Sequence, residues 1–261
     1  MSDIALYLLL FLFIAAFVSG FIDSIAGGGG LIAIPALLMV GLPPLETLGT
    51  AKLQALFGSG SATMAYARKG HIDLKAIAPM AVLSAIGATF GALVATVLPL
   101  EVLNTALPFI LIATAVYFGL KPDPGTIERH PRMTPMLFGA TIVPMIGFYD
   151  GIFGPGTGSF FMLSFLALAG LNLLKATAQT KVLNFASNGG AFLVFLAHGA
   201  VLWKIGLLMG VGQFIGAQVG SRLAMKNGSA IIRPLLVISC IAMALKLILD
   251  PSHPVRGLLG F

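Results

Sequence analysis

The sequence predicts an all-α polytopic membrane protein built from two homologous halves. Hydrophobic residues make up 58% of the 261 residues and charged residues only 9%, whereas roughly 25% of the residues in a soluble domain are charged. Long stretches carry no charge, and the second half of the chain repeats a pattern of the first. We therefore expect about 8–10 membrane segments, with discontinuous or re-entrant helices where glycine clusters interrupt them.

Five stretches lack Asp, Glu, Lys and Arg, and several reach the roughly 20 residues that a helix needs to cross a bilayer. These stretches are residues 4–22, 24–45, 76–100, 102–120 and 151–174. The first is preceded by Asp3 and by no basic residue. Because a cleaved signal peptide begins with a basic region, we interpret residues 4–22 as the first membrane segment.

The two halves match at residue types that shared hydrophobicity does not explain. When the second half is aligned on the first, Gly20 falls on Gly147, Asp23 on Asp150, and Gly27 on Gly154. After a short slip the alignment resumes, with Lys52 on Lys181, Gly87 on Gly216, and Gly91 on Gly220. We divide the chain into a first membrane repeat (residues 1–120), a cytoplasmic connecting loop (121–135) and a second membrane repeat (136–261), which together form one integral membrane domain.

Each repeat contains five apolar segments, of which the second is short for a complete crossing. The segments are residues 4–22, 31–40, 46–67, 76–98 and 103–120, and then 136–149, 158–170, 174–198, 205–222 and 232–249. The short segment is either a half-helix or part of a re-entrant hairpin with the segment before it. Such breaks occur at membrane depth only where protein or a cavity covers the backbone.

The distribution of basic residues favours inverted repeats. If the first two segments of each repeat form a hairpin or two crossings, the repeats are inverted and both termini are periplasmic. Ten basic residues are then cytoplasmic, namely Arg68, Lys69, Lys75, Lys121, Arg129, Arg132, Lys175, Arg222, Lys226 and Arg233. Three are outside, namely Lys204, Lys246 and Arg256. If the first two segments instead make one kinked crossing, the repeats are parallel, with nine basic residues in the cytoplasm and four outside. That division satisfies the positive-inside rule less well.

Four charged residues remain in the apolar region and outside the loops: Lys52 and Lys181 within third segments, and Asp23 and Asp150 at the ends of first segments. An ionisable group in a bilayer costs several kcal/mol unless it is paired or hydrated, and it marks a functional site by default. The lysines could attract an anionic substrate while an aspartate carries a coupling proton. Alternatively, each aspartate pairs with a lysine or caps a helix, and the four charges are structural.

The glycine runs 27–30 and 154–158 leave backbone N–H groups uncovered just before a helix restarts. A helix N-terminus with free N–H donors suits an anion, although glycines also permit close helix packing. The candidate substrate-binding residues are therefore Gly27, Gly28, Gly29, Gly30, Lys52, Gly154, Gly156, Thr157, Ser159 and Lys181. No Lys-Ser/Thr pair follows the glycines as a nucleotide-binding loop requires.

Small polar residues in the third segments could line a path through the membrane, or could be hydrogen-bonding contacts between helices. The candidates for the path are Ser59, Ser61, Asn184 and Asn188, together with Gln54 and Gln179. The sequence has no set of residues typical of a metal site or of hydrolysis, so we expect neither a metal, a cofactor nor an enzyme. The net charge of +6 comes from short loops, which argues against nucleic-acid binding.

The run from Gly20 to Pro35, followed by Gly49-Thr-Ala-Lys52, resembles the sulfite exporter TauE/SafE family of bacterial membrane permeases. The second copy differs, because Pro155 and Thr157 replace glycines and no proline matches Pro35. The resemblance implies about eight transmembrane helices in the bacterial inner membrane. It also implies transport of a small anion, above all a sulfur oxyanion such as sulfite or an organosulfonate, driven by H⁺ or another ion.

A secondary permease or exporter is thus the leading hypothesis for this chain. The anion would lie between the two repeats, near the glycine breaks and the two buried lysines, with access from alternating sides. An anion channel and a permease for a small non-sulfur organic anion are the alternatives. The expected partners are the small anion, the lipid bilayer and a coupling ion such as H⁺, and a homo-oligomer is compatible with the sequence.

Overall fold

The computed structural model describes residues 6–99, 101–102 and 130–227, and within them all regular secondary structure is α-helical. The helices are α1 (Leu6–Ala26), α2 (Gly30–Met39), α3 (Pro44–Arg68), α4 (Leu74–Val97), α5 (Pro135–Ile152), α6 (Thr157–Ala167), α7 (Leu173–Ala197) and α8 (Trp203–Asn227). The all-α prediction is confirmed for these residues. The predicted fifth segments (103–120 and 232–249), both termini and most of the connecting loop lie outside them.

The described helices fall into long and short classes. Three of them, α1, α4 and α5, are long and apolar enough to cross a membrane. Three others, α3, α7 and α8, have 25 residues each but are less apolar. The helices α2 and α6 contain 10 and 11 residues, which corresponds to about 15–17 Å, or roughly half the hydrocarbon thickness of a bilayer.

Local sequence explains where several helices begin and end. The Asp73 carboxylate accepts hydrogen bonds from the N–H groups of Lys75 and Ala76 at the start of α4, at 3.0 and 3.1 Å, and the Asn172 side chain caps α7 in the same way. At the other end, α1 stops at Gly27, whose φ is +82°. Glycine adopts this left-handed conformation at little cost and commonly terminates helices.

The helices α1 and α5 extend further than the sequence suggested. The apolar segments were expected to end at residues 22 and 149, before the charged residues. The helices instead continue to Ala26 and Ile152, so Asp23 and Asp150 lie within their last turns. The carboxylates do not end the helices, because each has a cationic partner in the structure.

The first long helix of each predicted repeat packs against the fourth helix of the other. At seven glycines of these interfaces a Cβ atom would lie within 2.4 Å of a backbone carbonyl oxygen of the facing helix. Four of them are Gly87 with Pro144 and Gly91 with Phe148 between α4 and α5, and Gly216 with Phe17 and Gly220 with Phe21 between α8 and α1. The sequence alignment of the halves places Gly87 on Gly216 and Gly91 on Gly220.

The sequence order of the contacts gives the relative directions of the helices. Residue numbers rise together in the contacts of α1 with α8 and of α4 with α5, so these helices are parallel. They also rise together for α3 with α8, where Leu53 contacts Gly206 and Phe57 contacts Gly210. In contrast, α3 and α7 cross in opposite directions, since Gly60 meets Phe185 and Leu56 meets Gly189.

Two adjacent glycines in α7 provide a test of the packing. A Cβ on Gly190 would lie 2.3 Å from the carbonyl oxygen of Ala85 in α4, whereas a Cβ on Gly189 would meet only Leu56, at 3.8 Å. Gly190→Ala should therefore force α7 away from α4 and destabilise the fold by about 1–3 kcal/mol. Gly189→Ala should be neutral or should stabilise the helix by up to about 1 kcal/mol.

Thermal unfolding of both variants in detergent checks this expectation. Gly189→Ala is the matched control, because it makes the same chemical change one residue away in the same helix. Equal melting temperatures for the two variants would contradict the α4–α7 packing.

Candidate functional site

The two glycine breaks, which belong to different halves of the sequence, lie against each other. A Cβ on Gly27 would lie 2.3 Å from the carbonyl carbon of Gly158, and a Cβ on Gly30 would lie 3.3 Å from the Cα of Pro155. The Ser159 hydroxyl donates a hydrogen bond to the carbonyl oxygen of Ala26 at 2.7 Å. The broken ends of α1 and α5 and the starts of α2 and α6 therefore form one centre.

The four charged residues of the apolar segments form two ion pairs, and each pair joins the two predicted repeats. The Lys52 ammonium in α3 lies 2.8 Å from Asp150 Oδ1 and donates to the Asp150 carbonyl oxygen at 2.5 Å. The Lys181 ammonium in α7 lies 3.6 Å from Asp23 Oδ2 and donates to the Asp23 carbonyl oxygen. All four residues are buried.

The position of each lysine is electrostatically favourable. Asp23 and Asp150 lie in the last turns of α1 and α5, where unpaired carbonyl groups give the helix end a partial negative charge. Each lysine thus interacts with both a carboxylate and a helix C-terminus. The Asp23 carboxylate also holds the glycine break, since its Oδ1 accepts a hydrogen bond from the Gly29 N–H at 3.3 Å.

A polar cavity of about 40 Å³ lies beside the Lys52–Asp150 pair. One buried water needs roughly 10–15 Å³ of such space, so the cavity has room for a few water molecules and is smaller than an oxyanion with its hydration shell. The side chains of Gln54, Asn184, Asn188 and Gln213 contribute amide groups to its wall, and Asp23 contributes a carboxylate. The site is thus small, and its wall combines these polar groups with apolar side chains such as Ile34 and Leu48.

Buried oxygens without a hydrogen-bond partner are concentrated at this cavity. Among the described residues seven side-chain oxygens are buried and unpartnered, and four of them belong to residues that line the cavity. These four are Gln54 Oε1, Asp150 Oδ2, Asn184 Oδ1 and Gln213 Oε1. Each such group costs about 1–3 kcal/mol, and because all four atoms are acceptors, a hydrogen-bond donor such as a water molecule or a proton would satisfy them.

The predicted site residues divide into two groups. Those that line the cavity are Asp23, Gly27, Gly30, Lys52, Asp150, Gly154, Thr157, Asn184 and Asn188. Those that lie elsewhere are Gly28, Gly29, Gly156, Ser159, Lys181, Ser59 and Ser61. The two serines of α3 make ordinary helix contacts, because Ser59 donates to Ala55 in its own helix and Ser61 donates to Phe214 in α8.

Sequence reasoning missed Gln213, which lies in α8 and is 2% exposed. It is an uncharged residue within an apolar segment, and the alignment of the halves places it opposite Ser84, so no repeated pattern marked it. The sequence offered only a weak signal for Gln213. It is a large polar side chain in a segment of mostly apolar residues, where a polar group is costly unless it has a partner.

Replacing Gly27 tests the contact between the two breaks. Gly27 and Gly41 have nearly the same backbone conformation, with φ of +82° and +84°, so alanine at either position carries a similar strain of about 1–2 kcal/mol. Only at Gly27 does the added Cβ meet other atoms, since nothing lies within 4 Å of a Cβ at Gly41. Gly27→Ala should therefore cost about 1–3 kcal/mol more than Gly41→Ala.

The measurement is the unfolding midpoint of the two variants, compared under identical conditions. If Gly41→Ala proves as destabilising as Gly27→Ala, the breaks do not touch as described.

Comparisons with known proteins agree with the membrane character of these helices. A sequence model of the family "Sulfite exporter TauE/SafE" matches residues 12–247. The chain is 66% identical over 260 residues to "Probable membrane transporter protein ORF9" of Sinorhizobium sp, with 100% of both chains covered. It is 45% identical over 242 residues to "Probable membrane transporter protein YfcA" of Escherichia coli (strain K12), covering 93% of this chain and 90% of the relative.

A third relative, "Probable membrane transporter protein" of Haemophilus influenzae, is 44% identical over 248 residues, covering 95% of this chain and 97% of the relative. No solved structure matches the chain. The family match covers most of the sequence, and the relatives align over almost their entire lengths. The chain therefore belongs to the sulfite exporter TauE/SafE family of membrane transporters.

Proposed function

We propose that this protein is a secondary transporter whose substrate, a small oxyanion, binds in the cavity beside Lys52. A sulfur oxyanion such as sulfite or an organosulfonate is the favoured class. The proposal rests above all on a buried lysine facing a small polar cavity, in a chain whose family is described by sulfite export. A buried cation with amide groups around it is suited to an anion that has lost its hydration shell.

The cavity offers several donors besides the lysine. Gly158 lines it near the N-terminus of α6, where the helix dipole favours an anion, whereas the N–H and the hydroxyl of Thr157 already donate to the Gly154 carbonyl oxygen, at 3.3 and 2.8 Å. Each carboxamide has a donor and an acceptor end, and which end faces a ligand is decided by the surrounding hydrogen bonds. The amides of Asn184, Asn188 and Gln213 can therefore donate to oxyanion oxygens.

We also propose that the repeats are inverted, with both termini on the periplasmic side of the inner membrane. The antiparallel crossing of α3 and α7 supports this, together with the matching contacts of α1 with α8 and of α5 with α4. In such an arrangement the repeats rock about a central site and open it to each side in turn. The short helices α2 and α6, which meet at that site, then serve as re-entrant half-helices.

The coupling ion in this proposal is a proton on Asp150. An entering anion competes with the Asp150 carboxylate for the Lys52 ammonium, since the two groups are 2.8 Å apart. Protonation of Asp150 removes the competitor, so proton and anion each increase the affinity for the other. The free Oδ2 of Asp150 is a position for that proton, whereas both carboxylate oxygens of Asp23 already have partners.

Thermal stabilisation by a panel of anions tests the proposal. The panel contains sulfite, thiosulfate, sulfate, sulfoacetate, taurine and simple carboxylates. A ligand that binds only the folded protein stabilises it by about 2.7 kcal/mol at 100 times its Kd. We expect a rise in the melting temperature with a sulfur oxyanion, larger at low pH. A response to carboxylates alone would identify a non-sulfur organic anion instead, and no response in folded protein would contradict the cavity site.

A further inference from the structure

We propose that the two Asp–Lys pairs have different tasks, although they occupy equivalent positions in the predicted repeats. Lys52 and Asp150 form the pair that meets the anion, whereas Lys181 and Asp23 form a permanent link between the repeats. Gln213 and Asn184 make the first site specific for an oxyanion and have no counterpart at the second. The inference rests on the proposed function and adds that the transporter has one asymmetric anion site.

Access to the cavity distinguishes the two pairs. Lys52 and Asp150 both line it, whereas Lys181 does not and is fully buried. Asp23 also lines the cavity, but both of its carboxylate oxygens have partners. Its Oδ1 accepts a hydrogen bond from the Gly29 N–H, and its Oδ2 pairs with the Lys181 ammonium. Asp150 retains one oxygen without a hydrogen-bond partner. Of the two pairs, only Lys52–Asp150 therefore has both members at the cavity and a carboxylate oxygen that is free to take up a proton.

The amide groups around Lys52 are also absent from the equivalent place in the other repeat. The alignment that pairs Lys52 with Lys181 relates the four amide residues to residues without an amide group: Gln54 to Leu183, Asn184 to Ala55, Asn188 to Ser59 and Gln213 to Ser84. Both polar counterparts already donate their hydroxyl groups to carbonyl oxygens, Ser84 to Leu183 at 3.0 Å and Ser59 to Ala55 at 2.7 Å. The amide groups that could bind an oxyanion thus occur at only one of the two equivalent sites.

The glycines that end α1 and α5 differ in the space around them. Beside Gly154 an added Cβ would meet the ends of two side chains, the Lys52 ammonium at 3.1 Å and Asp150 Oδ1 at 3.5 Å. The equivalent Gly27 faces the backbone of Gly158 and Ser159, at 2.3 and 2.5 Å. The break at Gly154 is thus lined by the side chains of the Lys52–Asp150 pair, which can move when a ligand enters, whereas the break at Gly27 is packed against the backbone of the other break.

Charge-neutral double variants separate the two tasks, because they leave no unpaired buried charge. The first is Asp23→Asn with Lys181→Met, and the second is Asp150→Asn with Lys52→Met. Each purified protein is tested for the rise in melting temperature with sulfite and for counterflow of radiolabelled sulfite in proteoliposomes. We expect the first variant to keep both responses and the second to lose at least about tenfold in sulfite affinity, as expected when a hydrogen bond to a charged group is removed.

A second pair of variants leaves all four charges in place, so the proposal stays testable if a double variant fails to fold. Gln213→Leu should weaken sulfite binding about tenfold without lowering the melting temperature of the ligand-free protein. Ser84→Ala, its counterpart, should leave sulfite binding unchanged. Equal loss of binding in the two members of either pair would overturn the asymmetry while the transport proposal stands. A wild-type protein that responds to no anion of the panel would instead remove the proposed function itself.

Discussion

Replacing Lys181 by methionine is expected to destabilise the fold severely. The substitution leaves the Asp23 carboxylate without its ammonium partner at a position that is 8% exposed. Breaking one partner of a buried pair costs about 3–5 kcal/mol, because the remaining charge is uncompensated. Lys181 also donates to the Asp23 carbonyl oxygen, so the end of α1 would lose a second interaction.

The companion change Asp23→Asn should restore much of that stability. The double variant has no unpaired charge, and an apolar or neutral pair of similar volume is often as stable as the ion pair that it replaces. Unfolding by heat or denaturant in detergent measures both effects. If Lys181→Met alone unfolds at the wild-type temperature, the contact between Lys181 and Asp23 does not link the helices as described.

The second large effect is expected in transport. Lys52→Met should abolish accumulation and counterflow of the transported anion, because it removes the only cationic side chain that lines the cavity among the described residues. A hydrogen bond to a charged group contributes about 1.5–3 kcal/mol. In the proposed mechanism the anion binds to the Lys52 ammonium in every transport cycle. Since the variant leaves Asp150 unpaired, Asp150→Asn is added so that loss of transport is not simply loss of folding.

Lys75→Met is the matched control for this experiment, because Lys75 is an exposed lysine at the start of α4. It should transport as the wild type does. Counterflow in the wild-type protein also distinguishes a transporter from an anion channel, since in a channel the efflux of internal substrate does not drive a transient accumulation of external label. Normal counterflow in the Lys52→Met, Asp150→Asn protein would contradict the role of the buried lysine.

Much of the fold was predictable because membrane helices are long stretches without charged residues. Runs without charge identified α1 and α4 to within a few residues, and the glycine clusters identified the breaks before α2 and α6. The four buried charges were also conspicuous, because each is costly unless it is compensated. Composition and repetition alone therefore identified several of the residues that line the cavity, among them Lys52 and Asp150.

The pairing of those charges could not be predicted, because it depends on contacts between distant helices. Nothing local decides whether Lys52 meets Asp23, in its own repeat, or Asp150, in the other. The structure selects Asp150, whose Oδ1 lies 2.8 Å from the Lys52 ammonium. The same reason explains Gln213, which reaches the cavity only because α8 lies beside α3. Repeat symmetry, in turn, suggested two equivalent lysines where only Lys52 lines the cavity.

The position of a bound anion tests the role of the cavity most directly. Selenite is a close analogue of sulfite, and its selenium atom can be located by anomalous diffraction from a crystal of the complex. We predict a selenium peak within hydrogen-bonding distance of the Lys52 ammonium, between the two glycine breaks. A peak elsewhere, for example among the basic side chains of Lys69, Arg222 and Lys226 at the protein surface, would contradict a binding site at Lys52.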